Sequence, residues 1–312
     1  MRSPFKYSDD NKRYHTLSYH YRRLGIKTKK VVIDAGLTCP NIDGSRSVGG
    51  CIFCDGGSGY FTNSPLLSIS EQIKLEEERI RAKYPEVKLI GYFQAHTNTY
   101  CSDEHLESML HEAVNSGSLD FLSVATRPDC LSETNILILK KYSGILPLTV
   151  ELGLQSASDR TGRLINRAYD TAVFLSAMQK LKASGLRTCV HVINGLPGEN
   201  RDDMLATAKL ISEVKPEGVK IHLLHVIRGT GLAEMYLAGN YTHMEFDEYI
   251  DVVVSQLELL PPETVIERIT GDADRTKLLA PLWSRDKIRV LGTIDAEMAK
   301  RDTYQGRLFV AD

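Results

Sequence analysis

Residues 31–57 read VVIDAGLTCPNIDGSRSVGGCIFCDGG: a β-branched run, a turn, and then a glycine-rich loop carrying cysteines at 39, 51 and 54. The run VVIDAG (31–36) begins a unit that recurs along the chain, a short apolar strand, a polar or glycine turn and an amphipathic helix. Five further strands are expected at VKLIGYFQ (87–94), FLSVATR (121–127), LPLTVELGLQ (146–155), RTCVHVIN (187–194) and GVKIHLLHV (218–226). Between them apolar residues fall three or four apart, as in Val173, Ala177 and Leu181 or Met204, Ala208 and Ile211, the spacing of one helix face. Ser68 with Glu71 is a capping-box pattern that opens a helix running to about Lys83. Strand and helix in strict alternation predict right-handed crossovers and a parallel sheet covered by helices. The expected fold is α/β, a partial barrel of six βα units over residues 31–230. A basic segment, 1–30, precedes it. A C-terminal extension, 231–312, packs on the barrel through a helix marked by Phe246, Ile250, Val253, Leu257 and Leu260, followed by the strand-like TVIERIT at 264–270.

Active sites of such sheets gather at the carboxyl ends of the strands, where the cysteine loop leaves the first one. Eleven residues separate Cys39 from Cys51 and two separate Cys51 from Cys54, and the glycines from Gly44 to Gly50 let the chain fold back to bring three thiols together. Structural zinc usually takes four ligands, and no fourth Cys or His lies in the loop. Three ligands leave a metal centre with one open position. On the residues alone an iron–sulfur cluster, zinc and a redox pair all stand; the βα pattern around the loop favours the cluster.

The 312 residues are 42% apolar and 25% charged, which excludes disorder, collagen and coiled coil. No run approaches the roughly 18 apolar residues of a membrane span, and MRSPFKYSDDNKRYH lacks a secretory apolar stretch, so a cytoplasmic protein without a membrane partner is expected. Six cysteines are too few for a disulfide scaffold. The net charge of −2 hides an asymmetry: residues 1–30 carry nine Lys/Arg against two Asp, so the remainder sums to −9.

The stretches AGLTCPNIDGSRSVGGCIFC (35–54), YFQAHTNTY (92–100), ATRPDCL (125–131), VELGLQSASDRTGRLINR (150–167), HVINGLPGE (191–199) and KIHLLHVIRGT (220–230), with the late Gln305–Gly306, resemble a radical S-adenosylmethionine (SAM) enzyme. Specifically, the chain is similar to the YtqA/YhcC-type family, relatives of the catalytic subunit of elongator. The resemblance implies a [4Fe-4S] cluster on Cys39, Cys51 and Cys54, with S-adenosyl-L-methionine on the remaining iron. It further implies that Glu151 and Gln155, on one face of the fourth strand with Gly153, bond ribose hydroxyls. Arg167, twelve residues after Gln155, matches an arginine that meets the methionyl carboxylate in oxygen-independent coproporphyrinogen oxidases. Gly195 and Gly198 of the GLPGE turn would let the backbone approach adenine, Phe53 would pack on it, and Asn98 and Thr99 would meet the cofactor amino group.

Tyr92, Gln94, His96, Arg127, Asp129, His191, His222 and His225 fall at strand ends facing the radical, and among them Tyr92, Gln94, Arg127 and His191 are the catalytic or substrate candidates. Cys189 reads as a buried strand residue, while Cys101 and Cys130 are left as candidate hydrogen donors. KRYHTLSYHYRRLGIKTKK (12–30) interleaves seven Lys/Arg with tyrosines and histidines, a composition suited to phosphate contact and base stacking. Family members resemble the wobble-uridine enzymes called MnmL, which implies tRNA as substrate, conversion of a carboxymethylaminomethyl to an aminomethyl group, a cation such as Arg127 on the substrate carboxylate, and a one-electron donor such as flavodoxin or ferredoxin. A radical enzyme for a small molecule and a non-catalytic zinc-bearing RNA-binding protein are the competing readings.

Overall fold

The computed structural model describes residues 5–56 and 65–310. Its strands are β1 (Thr28–Ile33), β2 (Lys88–Phe93), β3 (Phe121–Thr126), β4 (Leu148–Gln155), β5 (Arg187–Asn194), β6 (Gly218–Leu223), β7 (Val226–Ile227), β8 (Val265–Arg268) and β9 (Leu278–Ala280). Seven of them form one sheet in the order β1-β2-β3-β4-β5-β6-β8, and every neighbouring pair is parallel. The α/β partial barrel is therefore as expected but one strand wider. The segment TVIERIT does not simply lie on the barrel: its residues 265–268 extend the sheet beside β6, with Gly218 opposite Val265 and Lys220 opposite Arg268. A separate antiparallel pair, β7 with β9, stands next to the sheet.

Alternation along each strand decides which residues enter the barrel. On β4, Val150, Leu152 and Leu154 belong to the apolar layer beneath the helices, while Glu151, Gly153 and Gln155 line the interior. On β6, Val219, Ile221 and Leu223 join that layer, and Lys220 and His222 line the interior. The outer layer includes helix faces such as Phe174, Ala177, Met178 and Leu181 of helix 171–183. Helix 69–81 has the expected capping box, with the Ser68 side chain accepting from the Glu71 N–H.

The basic segment closes the amino end of the barrel. Helix 17–23 is capped by Thr16 and puts Tyr21 5.5 Å from Phe121, the first residue of β3. The His15 carbonyl accepts from Ile266 N–H of β8 at 2.7 Å. Tyr14 and His15 are buried, and Tyr7 stacks on His15 with ring centroids 4.9 Å apart. Lys12 pairs with Asp295, Arg13 with Asp302 and Arg22 with Asp9. This corrects the expectation of base stacking by the segment: Tyr14 and His15 are core residues, and the segment lies at the end opposite the cysteine loop. Among the described residues no helix is long and apolar enough to cross a membrane.

Candidate active site

A cavity of about 400 Å³ opens at the carboxyl ends of the strands, a volume within the ordinary range for small-molecule and cofactor sites. Its floor is a buried polar layer centred on Glu151, 1% exposed. The carboxylate pairs with Lys220 and accepts from Tyr92 Oη at 3.0 Å, Ser123 Oγ and His191 Nε2 at 2.6 Å, with Lys30 Nζ 3.6 Å away. Burial alone would raise the Glu151 carboxyl, but Lys220 and Lys30 hold it well below the ordinary carboxylate range. Burial, then Lys220, pushes His191 down, so its imidazole is neutral. Every Glu151 oxygen thus has a partner within the protein. An inward carboxylate was legible as a demanding group; its counter-ion, Lys220, inside an otherwise apolar strand, was not.

Two asparagines pin the cysteine loop over this floor. Asn41, fully buried, donates through Nδ2 to the Asn166 carbonyl at 2.6 Å and approaches Cys51 Sγ at 3.6 Å. Asn166, in the left-handed region at φ 55°, donates to the Val48 and Gly50 carbonyls at 3.0 and 2.7 Å. Backbone bonds from Ile52 N–H to the Ile165 carbonyl (3.2 Å) and from Leu232 N–H to the Ile52 carbonyl (2.8 Å) fasten the other side. Gly49 and Gly50, with φ of 78° and 74°, make the return turn that brings Cys51 back toward Cys39. The sequence offered no signal for Asn41 and Asn166, because their partners lie 125 residues apart.

The end of β4 is bent where Gln155 takes φ 62°. A Cβ on Gly153 would sit 2.3 Å from Gln155 Nε2, so a larger residue there would displace that folded-back side chain. Tyr169 Oη donates to the Gly153 carbonyl at 2.6 Å and to Gln155 Oε1 at 2.9 Å. The Tyr169 ring has Arg127 and Arg167 guanidinium carbons 4.9 and 4.7 Å from its centre, cation–π contacts. Arg167, 1% exposed, donates to the Tyr169, Leu154 and Ser156 carbonyls at 2.9, 2.8 and 2.6 Å and to Asp159 at 2.9 Å. In this arrangement it braces the loop after β4. Arg127 is clamped by Asp129 through two bonds of 3.0 and 2.9 Å and also donates to the Arg167 carbonyl.

The structure brings Cys39, Cys51, Cys54, Phe53, Tyr92, Gln94, Arg127, Glu151, Gln155, Arg167 and His191 around one cavity, and His96, His222 and His225 share it. Asn98, Thr99, Gly195 and Gly198 stand outside its lining. Asn98 Nδ2 ties the Phe93, Ala95 and Ala125 carbonyls together, although its Oδ1 has no partner among the described residues. Thr99 Oγ1 lies 2.6 Å from Thr126 Oγ1 and donates to the Cys130 carbonyl. Gly195 holds φ 86°, and its carbonyl is taken by Tyr241 Oη at 2.8 Å. Glu199 of the same turn accepts from Ser156, and burial pushes its carboxyl up to about 7. Cys189 is fully buried, as read. Cys101 and Cys130 line a separate depression of about 460 Å³.

The thiol set fits an iron–sulfur cluster. Burial, then Cys54, pushes the Cys51 thiol up to about 12, so a Cys51 thiolate persists here only against a cationic centre. The sulfurs also do not crowd together: among the described residues, the one group of possible ligands converging within 4.8 Å is Glu151, Cys189 and His191, where Lys220 already supplies the cation. A single tetrahedral zinc would draw its sulfurs closer than that. Comparison with known proteins agrees. Residues 44–211 match the Radical SAM superfamily and residues 216–300 the Radical SAM C-terminal domain. Protein YtqA of Bacillus subtilis is 41% identical over 98% of this chain and 96% of its own. The tRNA uridine(34) acetyltransferase of Methanocaldococcus jannaschii is 27% identical over 74% of this chain and 50% of its own. The archaeal Elp3 of Methanocaldococcus infernus shares the fold at a TM-score of 0.72, with 20% identity over 90% of this chain and 64% of that one. With half the chain under one superfamily and a full-length relative at this identity, the protein belongs to the radical SAM superfamily, in the company of YtqA, and uses the [4Fe-4S] cluster and S-adenosylmethionine of that superfamily.

Proposed function

We propose that this radical SAM enzyme acts on tRNA and converts carboxymethylaminomethyluridine at the wobble position to aminomethyluridine. The observation that carries the reading is the similarity, over 74% of this chain, to a protein named for its action on tRNA uridine 34. The mouth supports it. Arg228, Arg275, Lys277 and Arg285 are exposed beside the cavity, where Lys277 reaches Asp55, next to Cys54, at 3.4 Å. These cations stand where a phosphate backbone would pass if a base entered the barrel.

Cys39, Cys51 and Cys54 would hold the cluster, leaving one iron for the amino and carboxylate groups of SAM. When bound, that pair supplies a 5′-deoxyadenosyl radical from one electron, delivered by a carrier such as flavodoxin or ferredoxin. Phe53 and Gln155 are the aromatic and polar groups of the lining disposed to orient the nucleoside end, while Arg167 and Tyr169 hold the loop that presents Gln155. Loss of a hydrogen atom from the glycyl methylene and of one further electron to a one-electron carrier turns the substrate side chain into an imine. Addition of water then releases aminomethyluridine and the two-carbon acid glyoxylate. The Glu151–Lys220–Tyr92 floor keeps the barrel's interior polar but closed to through-flow of water from the plugged amino end.

The test is anaerobic reconstitution with SAM, reductant and tRNA bearing carboxymethylaminomethyluridine, followed by nucleoside mass spectrometry. Aminomethyluridine should appear with the native chain and be absent when the three cysteines are replaced by Ala. Release of 5′-deoxyadenosine with unchanged tRNA would move the search to a small-molecule substrate.

A further inference from the structure

The cavity has two cationic walls. On one, Arg127 is held to Asp129 by two hydrogen bonds of 3.0 and 2.9 Å, with Arg46 4.0 Å from the same carboxylate. On the other, formed by β6, β8 and the turn after β8, one carboxylate serves two cations: Asp272 lies 3.6 Å from Arg268 and also pairs with Lys287. This wall also carries two half-buried imidazoles, His222 and His225, whose buried Nε2 atoms have no hydrogen-bond partner among the described residues. Burial, then His191, Arg268 and Lys220, pushes His222 down, and burial with Lys287 pushes His225 down to about 4, so both rings are neutral. Unpaired buried polar atoms are uncommon in folded proteins and call for a partner. Gly271 adjoins the second ring: a Cβ there would stand 2.6 Å from His225 Cε1.

We propose that Arg268, His222 and His225 form the anion subsite of this enzyme and receive the substrate's carboxylate, in place of Arg127. The inference rests on the wobble-uridine reading for the identity of the carboxylate, a secondary-amine glycyl group. An excess positive charge and two imidazoles with a free ring nitrogen supply what a carboxylate needs, a cation and hydrogen-bond donors. On binding, each ring would turn about its Cβ–Cγ bond to present a nitrogen to the cavity, because both Nε2 atoms are closed to solvent. The nearest charged neighbours of His222 besides Arg268 are Lys220 and Glu151, already paired with each other. Arg268 faces Lys220 in register across β6 and β8, which places the subsite at the edge of the Glu151 floor.

The experiment titrates the anaerobic, SAM-loaded holoenzyme with N-methylglycine and with N-methylglycinamide, following the histidine imidazole nitrogens by NMR. The carboxylate, not the amide, should shift two imidazole signals. Arg268→Gln should weaken its binding about 10- to 100-fold, the effect of losing a hydrogen bond between charged groups, while Arg268→Lys recovers part of it. Gly271→Ala, which keeps all charges, should weaken binding by displacing His225. SAM affinity, measured in the same variants, reports folding and separates the two possible carboxylates. If Arg268→Gln weakens SAM instead of N-methylglycine, or leaves N-methylglycine unchanged while Arg127→Gln abolishes its binding, the proposal is overturned. Arg268-dependent binding of N-methylglycine without conversion of tRNA would keep the subsite and discard the wobble-uridine reading.

Discussion

The two ends of the barrel are built from similar residues and left in opposite states. At the amino end, several basic and aromatic residues of the first thirty are taken up by the fold, since Tyr14 and His15 are buried, Arg22 pairs with Asp9 and Lys12 with Asp295, while Arg23 and Lys27 stay exposed. At the carboxyl end, cysteines, histidines and arginines surround a cavity, and the Nε2 atoms of His222 and His225 on its wall have no partner among the described residues. Composition therefore does not distinguish a binding surface from a structural plug. Satisfaction does, because a polar group whose partners are all intramolecular has nothing left to offer a ligand.

The contrast breaks most sharply at the cysteines. Replacing any one of Cys39, Cys51 and Cys54 by Ala should abolish the visible iron–sulfur absorbance and all release of 5′-deoxyadenosine, while circular dichroism still reports the barrel. A coloured, active variant would remove the site from this loop.

Next in size is the floor between the two ends. Lys220→Met leaves Glu151 buried without its main counter-ion and should cost about 3–5 kcal/mol in denaturant unfolding, as for other broken buried pairs. Combining it with Glu151→Gln should recover part of that loss. A single-variant cost under about 1 kcal/mol would mean the pair is solvated and the floor open.

A smaller effect separates the ends as RNA surfaces. Neutralising Arg275 and Lys277 at the mouth should make the log–log salt slope of tRNA binding shallower by about one for each cation–phosphate pairing removed. Neutralising the exposed Arg23 and Lys27 at the plug should leave that slope unchanged. The reverse outcome would return the RNA surface to the basic segment.

The smallest effect is the titration of Glu199. Its carboxyl is pushed up to about 7 by burial, so the folded state favours the protonated form. That contribution is full below the ordinary glutamate range and fades as pH rises through about 7. Glu199→Gln should flatten the fall in melting temperature between about pH 5 and about pH 8. A fall of the same slope in the variant would assign it elsewhere.

Much of this was legible in the chain. Strand periodicity placed Glu151, Gln155 and Tyr92 inside one barrel, and the gap between Cys39 and Cys51 marked the cluster loop, because both signals are local. The seventh strand was read as strand-like but not placed in the sheet, because it is only four residues long, and what identifies Val265–Arg268 as part of the sheet is β6, over forty residues earlier. Lys220 was hidden because a single lysine among Val219, Ile221 and Leu223 acquires meaning only from Glu151 across the barrel. The burial of Tyr14 and His15 was not legible, because aromatic interleaving is equally the pattern of a packed cap, and only tertiary pairing decides which residues it takes up.

In the proposed reaction a radical formed at the mouth takes hydrogen from the glycyl methylene of a modified tRNA uridine. The direct measurement uses tRNA deuterated at that methylene with the anaerobic holoenzyme and SAM, and reads the mass of the released 5′-deoxyadenosine. The account predicts one deuterium in 5′-deoxyadenosine, formed together with aminomethyluridine. Aminomethyluridine accompanied by unlabelled 5′-deoxyadenosine would contradict it.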